Sequence, residues 1–132
     1  MTWNPDLYNQ FKQERFLPFE DCINLITKKP SMDVIDLGCG TGELTRKLRD
    51  SLPEPQLVLG IDSSAEMLSK SHQFASQHLL FAQRSIEQQV SMPDTWDLVF
   101  SNAAIQWVPD HRQLLSSIIG MIRKGGQLVI QI

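Results

Sequence analysis

Cysteine, excess basic charge and long apolar runs are all scarce in this chain, and each scarcity excludes something. Cys22 and Cys39 are the two cysteines. They fit no metal-ligand spacing and make no disulfide framework, so no metal is expected and a reducing cytoplasm is the simplest setting. Lys and Arg total 12 against 15 Asp and Glu, a formal net charge of -3. A nucleic-acid partner would call for a basic face. The densest basic stretch, "TRKLR", reads instead as a solvated helix face. No apolar run approaches the roughly 20 residues of a membrane span. The opening "MTWNPDLYNQ" is too polar for a signal peptide. What remains is ordinary: 132 residues, 42% hydrophobic and 20% charged, a balance suited to one domain with one core, taken here as 1–132.

Along that domain, apolar strands alternate with amphipathic helices. Residues 1–30 are read as an N-terminal capping segment and helix, in which Pro18 opens the helix and Phe19, Cys22, Ile23 and Ile26 share a face. "DVIDL" is a strand, followed by glycines. "GELTRKLRDSL" spaces Leu44, Leu48 and Leu52 four apart, and Pro53 stops it. "QLVLGID" is the second strand. "SSAE" reads as a capping box from Ser63 to Glu66, opening a helix to about Gln77. "LLFAQ" and "WDLVFSN" are strands three and four, with one irregular helical turn expected between them. Asp110 caps a last helix that turns Leu114, Leu115, Ile118, Ile119 and Ile122 inward. "RKGG" turns the chain into a fifth strand, "QLVIQI".

Such alternation implies a parallel sheet covered on both faces. The expected fold is therefore α/β, a Rossmann-like doubly wound parallel sheet in the order 3-2-1-4-5. The crevice of such a sheet lies beyond the carboxyl ends of strands one and four, where the winding reverses. "DLGCGTG" and "SNAAIQW" sit at those two ends.

The glycine turn narrows the ligand. The dinucleotide fingerprint is G-x-G-x-x-G, whereas Gly38, Gly40 and Gly42 read G-x-G-x-G. Asp36, two residues ahead of the first glycine, is badly placed for a pyrophosphate and well placed for an ammonium group. No Lys-Ser or Lys-Thr follows, which removes the P-loop. Asp62 ends strand two, where a carboxylate accepts hydrogen bonds from ribose hydroxyls. One acid for an ammonium and one for a ribose suit S-adenosylmethionine.

"VIDLGCGTGELT" and "GIDSSAEML" resemble the first two motifs of the class I S-adenosylmethionine-dependent methyltransferases. The resemblance implies that Asp36, Gly38, Cys39 and Gly40 hold the amino-acid part of the cofactor. Asp62 then holds the ribose, and Ser63 and Met67 lie near the adenine. In the family an acid after strand three often meets the adenine amino group, and the matching residue here is Ser85, a departure. Asn102, just past strand four, faces the ligand crevice.

The outer parts, "WNPDLYNQFKQERFLPFEDCI" and "WDLVFSNAAIQWVPDH", together resemble the trans-aconitate methyltransferase branch, whose pattern malonyl-carrier-protein methyltransferases largely share. The acceptor implied is a small carboxylic acid, methylated on oxygen. Such an acid is ionised at neutral pH and needs a grip, not a general base. Arg15 is the preferred grip, ahead of Arg84, His111 and Arg112, with Tyr8 and Trp107 as substrate-side walls and no catalytic residue assigned. Proteins of this type continue past a fifth strand, so the chain is expected to be a fragment with that strand as an exposed edge, open to self-association. The readings that compete are a malonyl-carrier-protein-type enzyme, a non-catalytic cofactor-binding module and an NAD-dependent oxidoreductase.

Overall fold

A computed structural model of the chain describes residues 18–102 and 104–132. Five strands, β1 (Asp33–Leu37), β2 (Leu57–Asp62), β3 (Leu79–Gln83), β4 (Trp96–Asn102) and β5 (Ile122–Gln131), form one sheet in the order β3-β2-β1-β4-β5. Every pairing is parallel. The order and direction are those the alternation of elements predicts.

Helix α1 covers 18–25, followed by α2 (Glu43–Ser51), α3 (Ala65–Ser71), α4 (Ile86–Val90) and α5 (His111–Gly120). Strand periodicity divides the core in two, because successive side chains leave opposite faces of a sheet. Val34, Val58, Leu98, Phe100 and Val129 join Phe19, Cys22, Ile23 and Ile26 of the α1 region and Leu48 of α2 on one face. Phe19 meets Phe100 edge-on, with ring centroids 5.7 Å apart at 76°. Ile35, Leu37, Ile61 and Val99 join Ile86 of α4 and Leu114 and Ile118 of α5 on the other face.

Five local expectations are corrected. The cap of α3 is Ser64, whose hydroxyl accepts from the Met67 N–H, and not Ser63. Asp62 fixes the start one residue later, because its carboxylate takes the Ser64 N–H at 2.9 Å. The helix also ends at Ser71, passing into a 3-10 turn over His72–Phe74, well before Gln77. Residues 86–90 are regular helix, closed by a capping box between Ser85 and Gln88. "RKGG" lies within β5 and does not precede it. Its residues form a bulge against β4, since the register steps from Trp96↔Ile122 to Leu98↔Gln127. In α5 only Leu114 and Ile118 are fully turned inward, while Leu115 and Ile119 are 37% and 60% exposed.

Candidate functional site

The site is assembled where β1, β2 and β3 end together. Leu37↔Ile61 and Asp62↔Gln83 are in register, so the turns after these strands share one edge of the sheet. A cavity of about 430 Å³ opens there, lined by Gly38, Asp62, Ser63, Arg84, Ser85, Ile86, Glu87, Ala104, Trp107 and Val108. That size falls in the ~300–1,000 Å³ span of small-molecule sites.

The glycine bend is braced on β2. The N–H groups of Gly38 and Cys39 both donate to the Ile61 carbonyl, at 2.9 and 2.8 Å. The Gly40 N–H donates to Asp62 Oδ2 at 3.0 Å. Asp62 thus spends one oxygen on Gly40 and the other on Ser64, and each oxygen keeps a lone pair for a ligand hydroxyl. The two glycines differ. At Gly38, φ is +82° and an added Cβ would lie 2.3 Å from the Ala104 Cβ, so the bare Cα admits the segment after β4. At Gly40, φ is +58° and nothing lies within 4 Å of that position, which leaves the backbone open to a ligand.

Asp36 sits beneath the bend and not on the cavity wall. It is 4% exposed, and the Thr45 hydroxyl, itself fully buried, donates to its Oδ2 at 2.7 Å. Burial is the main cause that raises its carboxyl pKa from 3.8 to about 6; the Thr45 hydrogen bond opposes this and the negative charge of Asp62 adds to it. Cys39 is 7% exposed, and burial, then Asp36 and Asp62, push its thiol upward, so it is an inert packing group.

The cavity therefore brings together Gly38, Asp62, Ser63, Arg84, Ser85 and Trp107 of the residues singled out from sequence. The Ser63 carbonyl accepts from Gln83 Nε2, and the Ser85 hydroxyl accepts from the Gln88 N–H. Trp107, in a 3-10 turn over Ile105–Trp107, is 82% exposed at the rim. Met67 and Asn102 do not line the cavity. Met67 is exposed on the first turn of α3, and Asn102 is half-buried at the end of β4, opposite Gln131. Tyr8 and Arg15 lie outside the described residues. Ile86, Glu87 and Val108 were not foreseen on the wall. The S-x-x-Q spacing of Ser85 and Gln88 was the available signal, since a capping box after a strand places a helix start at this edge.

This is the architecture of a doubly wound nucleoside site, and comparison with known proteins gives it a family. Residues 28–132 match the family described as "Methyltransferase domain", and the chain belongs to that family. A trans-aconitate 2-methyltransferase of Deinococcus radiodurans is 46% identical over 132 residues, all of this chain and 50% of that protein. One of Yersinia pestis is 38% identical over 98% of this chain and 49% of that protein. The chain thus spans about half the length of these relatives. Among solved structures, an S-adenosylmethionine-dependent methyltransferase of Mesorhizobium loti superposes with a TM-score of 0.73 at 22% identity, over 84% of this chain and 51% of that one. The DhpI–SAH complex gives 0.61 at 27% identity, over 74% and 47%.

Proposed function

We propose that the chain, acting as a single domain, carries the cofactor-binding core of an S-adenosylmethionine-dependent methyltransferase. Its acceptor is a small carboxylic acid such as trans-aconitate, methylated on oxygen. The observation that carries this reading is Asp62: its carboxylate lines the cavity while holding the Gly40 N–H at the open glycine. The resemblance of the trans-aconitate 2-methyltransferases, the first at 46% identity, supports the acceptor.

In this reading Asp62 and Ser63 hold the ribose side. Gly38 and Gly40 provide the close approach, and Ser85 and Met67 flank the base. Asp36 acts through its buried negative charge beneath the bend, with Cys39 as packing, in place of a direct contact with the ligand ammonium. Bound S-adenosylmethionine supplies an electrophilic methyl group on a sulfonium. The protein's share is to orient an acceptor that is already ionised and to keep the site dry, so no general base is required. Asn102 completes the cofactor side at the end of β4, while Trp107, Tyr8 and Arg15 form the acceptor side, Arg15 gripping a carboxylate. A cytoplasmic setting is supported by the free, buried state of Cys22 and Cys39.

Calorimetric titration with S-adenosylhomocysteine and with NAD tests the cofactor. The first is expected to bind and the second not; the reverse outcome overturns the reading in favour of an oxidoreductase. Asp62→Ala is expected to weaken S-adenosylhomocysteine by about 1.5–3 kcal/mol, as a charged hydrogen-bond acceptor is lost. Methyl transfer to trans-aconitate by the whole polypeptide tests the acceptor.

A further inference from the structure

Among the described residues that line the cavity, Arg84 is the one base. Its backbone N–H donates to the Asp62 carbonyl at 2.9 Å, which ties it to the end of β2. Its guanidinium donates through Nη1 to Gln89 Oε1 at 2.5 Å, and its other N–H groups meet no partner among the described residues. Arg46, Arg49 and Arg123 each pair with a carboxylate. The side chain of Arg84 instead meets a neutral amide, so its charge is left uncompensated.

Gln89 is fully buried on α4, and its Nε2 meets no partner among the described residues. Burying an amide with half of its hydrogen bonding unmet costs stability, and an apolar residue of similar volume would avoid that cost. What the amide supplies is an acceptor for the guanidinium. A carboxylate in its place would hold Arg84 equally well and cancel its charge. A buried neutral acceptor holds the side chain on the wall and leaves the positive charge to whatever enters the cavity.

An acceptor with several carboxylates calls for such a group. Methyl transfer to one carboxylate leaves the others ionised throughout, since each titrates near pKa ~4. Asp62 and Glu87 line the same cavity, so a further anion entering it must be met by a cation as water leaves. With Arg15 on one carboxylate, the next requires a second base. We propose that Arg84 binds a carboxylate of the acceptor that is not methylated, and that Gln89 positions it there. The site then selects di- and tricarboxylic acids over monocarboxylic ones. This rests on the carboxylic-acid reading of the acceptor and adds to it a second grip and a rule of selection.

The experiment is calorimetric titration of the whole polypeptide, saturated with S-adenosylhomocysteine, with trans-aconitate and with crotonate, an alkenoic acid carrying one carboxylate. The unaltered protein is expected to favour trans-aconitate by roughly tenfold or more, the factor of a charged hydrogen bond. In Arg84→Gln, trans-aconitate is expected to weaken by roughly tenfold while crotonate changes by less than about twofold. Gln89→Glu keeps an acceptor for Arg84 but cancels its charge, and is expected to weaken trans-aconitate by a similar factor. A purely structural Gln89 would give no such loss, since the new ion pair holds α4 at least as firmly. Thermal melts check that the variants fold, and Arg84→Gln, at a half-buried residue, decides alone if the buried substitution does not. Unchanged trans-aconitate affinity in Arg84→Gln, or an equal loss for crotonate, overturns the proposal and leaves the acceptor reading standing. Failure of both acids to bind the unaltered protein overturns the acceptor reading itself.

Discussion

Gly38 and Gly40 show how one residue type serves two ends within three positions. Both have positive φ, but only Gly38 is pressed by a neighbour, the Ala104 Cβ. Gly40→Ala is therefore expected to cost about 1–2 kcal/mol, the left-handed penalty alone. Gly38→Ala adds a steric clash and is expected to cost about 2–5 kcal/mol. Urea midpoints of the two variants decide it, and equal losses would contradict the packing of Ala104 on the bend. Asp36 is the other residue whose surroundings set a measurable. Its carboxyl pKa is raised from 3.8 to about 6, chiefly by burial. The folded state then holds the proton where the unfolded chain has lost it, so stability falls as pH rises between those two values and stays low above them. Asp36→Asn keeps an acceptor for Thr45 and removes the charge. It is expected to gain about 1–3 kcal/mol over the unaltered protein at pH 8 and almost nothing below pH 4. Denaturant titrations at the two pH values check the sign, and a loss at pH 8 would show that the ionised carboxylate is better solvated than its burial implies.

Elements were legible to the extent that their signal was local. β1 and β4 occupy the residues that apolar composition marked, because a strand buried on both faces is a short continuous apolar run, and β3 fell where its own apolar run lies although it is an edge strand with Leu80 half-exposed. The caps of α3 and α4 were harder. At α3 two serines adjoin, and the carboxylate of Asp62 decides between them. In "RKGG" the glycines read as a turn, yet Arg123 donates to Asp33 at 2.7 Å and to Asp97 at 3.0 Å, drawing the segment onto β1 and β4. Contacts so distant in sequence leave no trace in a local window. The candidate site divides the same way: Asp62 was readable from its place at a strand end, while the placing of Asp36 behind the bend depended on the hydroxyl of Thr45, which ends the glycine motif but was assigned no role from sequence. α5 carries the clearest test. Ile118 is fully buried and Ile119 is 60% exposed, although both are isoleucines on one helix. Ile118→Ala is expected to cost about 2–5 kcal/mol and Ile119→Ala less than 1 kcal/mol. Comparable losses would mean that the helix is rotated on the sheet.

At the scale of the molecule, the sheet's two edges are unlike. β3 is 5 residues long and β5 is 10. A long edge invites another strand unless charge, proline or a bulge blunts it. The first half of β5 has such protection: Arg123 and Lys124 are charged, and Gly125, at φ +80°, lies in the bulge. The second half, Gln127 to Gln131, carries no charge and ends beside Ile132, which is 70% exposed. Gln127 is also occupied, its amide exchanging two hydrogen bonds with the Thr27 backbone at 2.7 and 2.8 Å. Gln131 is engaged too, its Oε1 accepting from the Cys22 thiol at 3.2 Å, so the unguarded stretch is 128–130, and the 132-residue chain is expected to self-associate there through backbone pairing. Sedimentation equilibrium from micromolar to millimolar protein should show a mass that rises with concentration. Ile132→Lys should hold the mass at the monomer value, since the side chain packs against nothing buried and a lysine at an edge repels its own copy. A chain that stays monomeric without the substitution would show that the bulge and Arg123 twist β5 enough to deny it a partner along its whole length.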